Sequence, residues 1–554
     1  MVKILLQHLP VLPIITPLIA AALILFLAER AHALRVLIAS LSMLVQCVAA
    51  LLLLMLTAGL LPQVWNGDIG VYSIGAWPAP FGIVLVVDRL SALMLSLNAV
   101  VGLAAFTNSL AYWDRAGPHF HTLFQLLLMG INGAFLTGDL FNLFVFFEVL
   151  LAASYGLLLH GSSIRRVKAG LHYIVVNLAG SLLFLIGVAL LYGVCGSLNT
   201  ADLLTLANTL PGEERALFDA ATSILGVAFL IKAGAWPLNF WLVRTYAVAS
   251  APVAAAFAIM TKVGVYVLIR LDSLIHGDVS SIAGSSSSVF SHGLFGDGIF
   301  YLGVATMCFG IFGMLSVRRL TRLVGHSVIV STGLLLTVLG LDNPALMAPA
   351  LFYLIGSVLA SAAFFMLAGM TERVRHTQPA IVVDEPLILP YYVPFGVRHT
   401  PILPGQDDEI GIAIPAAMAF LGVMFSFCVL LVTGSPPLSG FIAKFALLTV
   451  AIQSTQGEPG AFAAWTFVAL TLTAGLTSLI ALTRIGMRLF WATPGRHTPR
   501  LRVLEAGPVA VLVFSCIALT VAAGPVMEFL EAAALTLNAP QTYIETVLGG
   551  RPAP

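Results

Sequence analysis

The chain has 554 residues, of which 59% are hydrophobic and 9% are charged, and its formal net charge is +1. Soluble domains have about 25% charged residues, so this composition excludes a soluble globular protein and indicates a polytopic membrane protein. The near-neutral charge gives no reason to expect a nucleic-acid partner.

Because a helix needs about 20 mostly apolar residues to cross a bilayer, the sequence predicts an all-α protein with about fourteen transmembrane helices. No small-residue cleavage pattern follows the first apolar segment, so we expect it to be retained. The predicted spans are residues 11–30, 35–58, 84–112, 121–137, 139–160, 166–195, 219–247, 250–273, 296–316, 323–341, 345–369, 412–452, 459–488 and 503–532.

Few segments lie outside these spans. In the N-terminal region, residues 1–112, glycine, proline and aromatic residues near 64–82 predict an external hairpin. The serine-rich residues 279–293 are typical of an exposed external loop. The cytoplasmic insertion 371–411 contains prolines and acidic residues that exclude a spanning helix; it is either a surface that contacts a partner or a plain loop.

The basic residues predict the orientation. Of the 26 Lys and Arg residues, most lie in loops that follow odd-numbered spans, and short cytoplasmic loops accumulate such residues. We therefore expect a multi-pass membrane protein with both termini outside. The five cysteines lie in apolar spans without a CxxC neighbour or a histidine at metal-ligand spacing, which predicts packing roles, no redox cofactor and no metal ion.

Four ionisable residues lie inside otherwise uncharged apolar segments: Glu148, Lys232, Lys262 and Lys444. A charge in the middle of a bilayer costs several kcal/mol, so such residues usually face a hydrated cavity and act on ions. These four side chains are therefore the first candidates for a functional site.

Two proline-containing segments interrupt predicted spans that are too long for one straight crossing. GAWPL at 234–238 and GSPPL at 434–438 share the spacing G-x-x-P-L. Proline frees a backbone carbonyl, which the membrane tolerates only where protein or water satisfies it. Paired breaks at Pro237 and at Pro436 and Pro437 indicate a transport site built from structural repeats, with two ordinary proline kinks as the alternative.

Glu148 and Lys232 have opposite charges and are candidates for an ion pair. If they approach, each stabilises the charge of the other; if they separate, Lys232 can release its proton and act as a proton carrier. A static pair that orients helices is the alternative, although one obvious carboxylate cannot serve three lysines. Lys262 is expected to relay protons between Lys232 and Lys444.

Other polar residues at membrane depth are candidates for a water path, with helix packing as the alternative. They are His172, Asn177, Ser327, Ser331, Ser357 and Ser361. His326 lies near the end of its span and is expected at the membrane interface rather than in a relay. Asp139 begins a span, where a helix cap is expected and ion uptake is the alternative.

Four segments resemble the antiporter-like subunits shared by Mrp-type multisubunit cation/proton antiporters and respiratory complex I. They are GDLFNLFVFFEVL (138–150), IKAGAWPLNFWL (231–242), SAPVAAAFAIMTKVGVYVLIR (250–270) and TGSPPLSGFIAKF (433–445). The first and last segments are most similar to the D-type subunits of Mrp antiporters. The resemblance implies a complex with a large A-type partner and smaller partners of the B, C, E, F and G types.

The resemblance also implies a fourteen-helix fold with two inverted five-helix repeats. The repeats would occupy 113–273 and 296–488, followed by a last helix at 503–532 and a tail at 533–554. Family roles would place the controlling ion pair at Glu148 and Lys232, the connection at Lys262 and the terminal proton exchange at Lys444.

The chain departs from many relatives in the tenth and eleventh spans. Where these relatives have a linking histidine or lysine, the present sequence offers Ser331, Ser357 and Ser361. The link would then use water and hydroxyl groups, or this half conducts differently.

The resulting expectation is a subunit that moves protons inward while its complex expels sodium or another monovalent cation. No nucleotide or phosphate motif is present, so ion gradients are the expected energy source. The alternatives are a proton-pumping subunit of a redox complex, such as complex I or a membrane-bound hydrogenase, a structural membrane scaffold, and a carrier partner in inorganic carbon uptake.

Overall fold

The computed structural model describes residues 6–27, 31–61, 69–77, 79, 82–117, 119–207, 210–276, 298–376, 416–453, 461–490 and 501–549. These residues form helices and one two-stranded sheet. The serine-rich segment 279–293 lies outside the described residues, and so does the insertion 371–411 beyond residue 376. Residues 371–376 belong to a helix, which corrects the predicted start of the insertion.

The first ten α-helices contain the N-terminal region and the first predicted repeat. They are α1 Leu12–Phe26, α2 His32–Thr57, α3 Arg89–Ser109, α4 Phe120–Leu136, α5 Leu140–Leu159, α6 Ile164–Cys195, α7 Thr200–Ala207, α8 Gly212–Ala233, α9 Leu242–Val248 and α10 Ala251–His276.

Nine further α-helices contain the second predicted repeat and the C-terminal region. They are α11 Ile299–Ser316, α12 Leu320–Leu339, α13 Met347–His376, α14 Ala416–Thr433, α15 Ser439–Gln453, α16 Ala461–Phe490, α17 Val503–Val521, α18 Ala523–Leu537 and α19 Pro540–Leu548.

Thirteen described helices are long and apolar enough to span a membrane, and α4 and α15 are shorter apolar helices. Each of the fourteen predicted spans corresponds to one helix or to a broken pair. The seventh span is divided into α8 and α9, and the twelfth into α14 and α15, at the predicted proline segments. The last span is also divided, at Ala522, and its second helix continues to Leu537.

The predicted hairpin is present but ends later than the sequence suggested. Strand β1, Gly70–Ser73, pairs antiparallel with β2, Val84–Val87. All four residues of β2 are buried. The third span therefore starts at Arg89 rather than at residue 84, because Asp88 caps α3 and ends the strand.

A second small core lies beneath this hairpin and joins it to the C-terminal tail. Its buried members are Ile69, Ala79, Val84, Val86, Ala201, Tyr543 and Val547. The tail residues 540–548 therefore form a helix that packs on the fold.

Asp88 also accepts two hydrogen bonds from Arg270 of α10, at 2.6 and 2.8 Å. Burial raises the pKa of Asp88, but the Arg270 guanidinium and the bonds from Ser91 outweigh burial and hold this pKa below its usual value. The pair fixes the C-terminal part of α10 against the start of α3.

The helices differ in how much of their surface is buried. Helix α10 is buried on all sides and α12 and α13 nearly so, whereas α2, α6, α14 and α16 expose one apolar face. A helix that is apolar all round is typical of a position in the centre of a membrane bundle. The polar residues of α10 and α12 therefore lie inside protein rather than facing lipid.

Candidate functional site: a row of buried lysines

Glu148 lies on α5, which begins at a capped end. The Asp139 carboxylate accepts a hydrogen bond of 2.8 Å from the backbone N–H of Asn142, which confirms the predicted helix cap. Burial raises the pKa of Asp139, and bonds from backbone N–H groups act in the opposite direction. Glu148 itself is half-buried, and its Oε1 atom is buried without a hydrogen-bond partner among the described residues.

Lys232 lies in the last turn of α8 and is 4% exposed. Its Nζ atom donates to the carbonyl of Asn177 at 3.1 Å and to Oγ of Ser181 at 2.8 Å, both on α6. The same Nζ lies 5.9 Å from the centroid of the Phe147 ring. Neutral oxygens and one aromatic face therefore surround this amine.

No salt bridge joins Lys232 to Glu148 in the described part of the chain. The carboxylate acts on the lysine through its electrostatic field but does not contact it. Of the two arrangements that the sequence left open, the structure thus shows the one in which the two groups are separated.

The first helix break follows Lys232 directly. Gly234 has a φ of +75° and ends α8, and the N–H of Ala235 returns to the carbonyl of Leu230 at 3.0 Å. The N–H of Trp236, which precedes Pro237, donates to Oγ1 of Thr306 on α11 at 2.9 Å. A residue of the second predicted repeat therefore satisfies the backbone at the break of the first.

Lys262 occupies the middle of α10 and is 2% exposed. Its Nζ atom donates to Oγ1 of Thr332 on α12 at 3.1 Å. Helices α8 and α10 meet beside it, because a Cβ atom on Gly264 would lie only 2.8 Å from the backbone nitrogen of Ala233. This close approach places the helix of Lys262 against the end of α8, where Lys232 lies.

The second helix break has the same design as the first. Gly434 has a φ of +74°, and the N–H of Ser435 returns to the carbonyl of Leu430 at 3.0 Å. Lys444 lies beyond the break, on α15, and is 9% exposed. Its Nζ atom donates to the carbonyls of Thr433 at 2.8 Å and Val432 at 3.2 Å.

These two carbonyls end α14, where a helix lacks internal donors and carries partial negative charge. Lys444 therefore lies at the C-terminal end of α14, the helix that precedes the second break. Gly434 gives it room, because a Cβ atom there would lie 2.5 Å from Cδ of Lys444.

A small cavity connects α12 and α13 with Lys444. Its polar lining residues are Ser327, Ser331, Tyr353, Ser357, Ser361, Ser439, Lys444, Thr471 and Ser478. The space open to water centres is about 30 Å³, which is enough for at least one water molecule. The hydroxyls of Ser439 and Thr471 have no partner among the described residues, so polar groups are available to hold that water.

The structure brings together the three serines that the sequence singled out as a link. Ser331 donates to Oγ of Ser357 at 3.1 Å, and Ser361 lines the same cavity. Ser331 directly precedes Thr332, which bonds Lys262. The hydroxyl-lined cavity therefore begins next to the partner of the central lysine and ends at Lys444.

One prediction is corrected by the structure. His172 is exposed on the outer face of α6 and contacts the carbonyl of Lys168, so it lies apart from the buried path. His326 lies near the start of α12, as expected, and its imidazole is buried because Gly313 of α11 has no side chain where the ring packs. Asn177 is buried as expected, but it contributes its carbonyl rather than its amide to Lys232.

Several of the oxygens that contact the lysines were not predicted from the sequence. Ser181 and Thr332 bond Lys232 and Lys262, and Tyr353 and Thr471 line the cavity. No local pattern indicates these residues, because none of them lies on a helix that carries one of the three lysines.

The shared property of the three lysines is that neutral oxygens accept their hydrogen bonds. A static structural charge is normally paired with an opposite charge, as Arg270 is with Asp88. An amine that is held only by hydroxyls and carbonyls can exchange a proton without leaving a buried carboxylate unpaired.

A known protein family and curated relatives match the chain. The family described as "NADH:quinone oxidoreductase/Mrp antiporter, TM" matches residues 137–384. A relative from Rhizobium meliloti, named as the D component of a probable K(+)/H(+) antiporter, is 49% identical over 98% of both chains. The D component of a Na(+)/H(+) antiporter from Bacillus subtilis is 31% identical, over 97% of this chain and 99% of the relative.

Solved structures show the same fold. A chain of the Mrp complex from a Dietzia species superposes with a TM-score of 0.80 and 26% identity, over 98% of this chain and 100% of that one. A chain of respiratory complex I from Thermus thermophilus gives a TM-score of 0.71 and 20% identity, over 97% and 99%. The chain therefore belongs to the family of D-type subunits of Mrp-type cation/proton antiporters.

Proposed function

We propose that the chain is the proton-translocating subunit of a multisubunit antiporter that exchanges protons for sodium or another monovalent cation. The observation that carries this proposal is the set of three lysines, each buried and each bonded to neutral oxygens, with no salt bridge to any of them among the described residues. Such groups can gain and lose a proton inside the membrane.

In the first half, Glu148 and Lys232 form the controlling pair. The Lys232 amine donates hydrogen bonds to Asn177 and Ser181 and is separated from Glu148. This arrangement favours the release of a proton from Lys232 to a neighbouring group. Approach of Glu148 would restore the charged pair. Lys262 is the next carrier, because α10 contacts the end of α8.

In the second half, protons pass from Lys262 to Lys444 through hydroxyls and water. Thr332 bonds Lys262, and Ser331 and Ser357 continue towards the cavity that contains Lys444. This route supplies the link that a histidine or lysine would otherwise provide. Lys444 is the terminal exchange group.

The exchanged cation crosses elsewhere in the complex. Sodium and potassium need several oxygen ligands, and the proposed row offers mainly lysines, which repel cations. One relative is named for potassium and another for sodium. We therefore infer partner subunits of the A, B, C, E, F and G types, at least one of which binds the cation.

The distribution of basic residues supports an orientation with both termini outside. We further propose a location in the bacterial inner membrane and net proton movement inward. The driving force is adequate, because one charge that crosses about 100 mV gains about 2.3 kcal/mol.

The test uses the complete set of subunits in inverted vesicles from an antiporter-deficient host. Dequenching of a pH-sensitive dye after addition of Na⁺ or K⁺ reports exchange, and the variants are Glu148→Ala, Lys232→Ala, Lys262→Ala and Lys444→Ala at matched subunit levels. Lys168→Ala is the control, because Lys168 is exposed on α6. The proposal expects loss of the response in the four variants and its retention in the control.

Other outcomes favour the alternatives. Proton movement that appears only after addition of NADH or hydrogen would indicate a component of a redox pump. Intact exchange in Lys444→Ala with reduced assembly would indicate a scaffold whose charges are structural.

A further inference from the structure

A second cluster of ionisable side chains lies outside the proposed proton path, where α2 and α4 meet the turn after α3. His32 is the first residue of α2, Asp114 lies in the turn Trp113–Arg115, and His121 lies at the start of α4. Oδ2 of Asp114 is 2.9 Å from Nε2 of His32 and 3.9 Å from Nε2 of His121. One ligand atom from each residue lies within 4.8 Å of the others.

The polar atoms of this cluster are buried and incompletely bonded. The side chains of Asp114 and His121 are 2% and 5% exposed. Neither ring nitrogen of His121 and only one oxygen of Asp114 has a hydrogen-bond partner among the described residues. A buried polar atom without a partner destabilises the fold, so these atoms favour a ligand that contacts several of them together.

We propose that His32, Asp114 and His121 form a binding site for a divalent transition-metal ion of the zinc class. Two imidazole nitrogens and one carboxylate oxygen are ligands that zinc accepts in proteins. Ligand bonds of about 2.0–2.2 Å in a tetrahedral arrangement separate the ligand atoms by about 3.4 Å. The two measured separations lie on either side of that value, so small side-chain movements suffice.

The surroundings define how the metal reaches the site. His32 is 38% exposed and is the open side of the cluster, whereas the other two ligands are enclosed. A water molecule on that open side would complete four ligands.

Arg35 and His160 are the other charged or titratable groups that act on His121. Arg35 donates to the carbonyl of Leu27, and His160 contacts the carbonyl of Trp113.

The metal would bind three segments that are far apart in sequence. His32 and Asp114 are 82 residues apart; His32 belongs to the N-terminal region and Asp114 to the start of the first predicted repeat. A bound ion would therefore join α2 and the turn after α3 to α4, and it would not contact Lys232, Lys262 or Lys444.

The test measures metal binding directly. The full-length chain, purified with the subunits that accompany it, is stripped with a chelator and dialysed against zinc at limiting concentration. Bound zinc per chain is compared for the wild type, His121→Asn and His32→Asn, with His172→Asn as the control because His172 is exposed on α6. Cobalt replacement gives a second readout, since a tetrahedral nitrogen and oxygen site produces visible absorption.

We expect the wild type and His172→Asn to bind one more zinc ion per chain than His121→Asn and His32→Asn. The cobalt absorption should differ between the proteins in the same way. Equal zinc content in all four proteins would overturn it and would indicate that water alone fills the cluster. If His121→Asn does not assemble, the more exposed position His32 decides the result by the same comparison.

Discussion

The two halves of the molecule contain the same helix break but place the lysine on opposite sides of it. In the first half Lys232 precedes Gly234 and donates to a neighbouring helix, α6. In the second half Lys444 follows Gly434 and donates to the end of α14, the helix on the other side of the same break. Each break thus leaves backbone groups without partners inside their own helix. The break does not determine which helix accepts the hydrogen bonds of the lysine amine.

This difference predicts different sensitivities. The environment of Lys232 changes when α6 or Glu148 moves, so the first half is suited to control. The environment of Lys444 is built into the break and opens into a hydroxyl-lined cavity, so the second half is suited to exchange with water. The following predictions test that division.

The largest effect is expected from Lys444→Ala. Loss of a positioned proton-transfer group costs about a hundredfold or more in rate. Lys444→Arg should not restore exchange, since arginine does not release its proton in proteins. Vesicle dequenching at matched subunit levels measures both variants, and normal exchange in Lys444→Arg would contradict a proton-carrying role.

Gly434→Ala should reduce exchange by about tenfold or more, because the new Cβ atom would collide with the Lys444 side chain and displace its amine. The matched control is Gly234→Ala, in which the equivalent Cβ atom meets Leu242 instead. Both positions have a left-handed backbone, so both substitutions carry a similar conformational cost of about 1–2 kcal/mol.

The two glycine variants therefore separate stability from transport. We expect similar losses of melting temperature in both and a selective loss of dye response in Gly434→Ala. Equal transport defects would show that the breaks are equivalent and that the position of Lys444 has no special importance.

A smaller effect is expected from Ser181→Ala. Lys232 would keep the carbonyl of Asn177 and lose the hydroxyl at 2.8 Å. A hydrogen bond to a charged group contributes about 1.5–3 kcal/mol, which corresponds to about tenfold or more in the proton affinity of that site. The pH dependence of exchange should shift in this variant, while an unchanged profile would mean that Ser181 has only a packing role.

The smallest effect is expected from the double variant Ser331→Ala with Ser357→Ala. The substitution removes the bond of 3.1 Å between the two hydroxyls, but water can occupy the space that they leave. Exchange should fall severalfold rather than disappear. Ser426→Ala, at an exposed position on α14, is the control, and no change in the double variant would place the link elsewhere.

Features that depend on neighbouring residues were predictable from the sequence. The spans, the breaks at Pro237 and Pro437, and the cap at Asp139 follow from local patterns, and the structure shows all of them. The error at His172 arose on α6, where apolar residues occur on every face and no periodicity separates His172 from the buried Tyr173.

The sequence by itself determined that this chain is a membrane protein, where its apolar helices lie and break, and which four ionisable residues lie inside otherwise uncharged apolar segments. Each of these conclusions depends on composition or on residues that are close together in the chain. Only the tertiary structure decided which oxygens accept from each lysine, that Glu148 stands apart from Lys232, and that His32, Asp114 and His121 meet. Those contacts depend on how helices rotate and pack against one another, and that rotation is set by side chains distributed over the whole bundle.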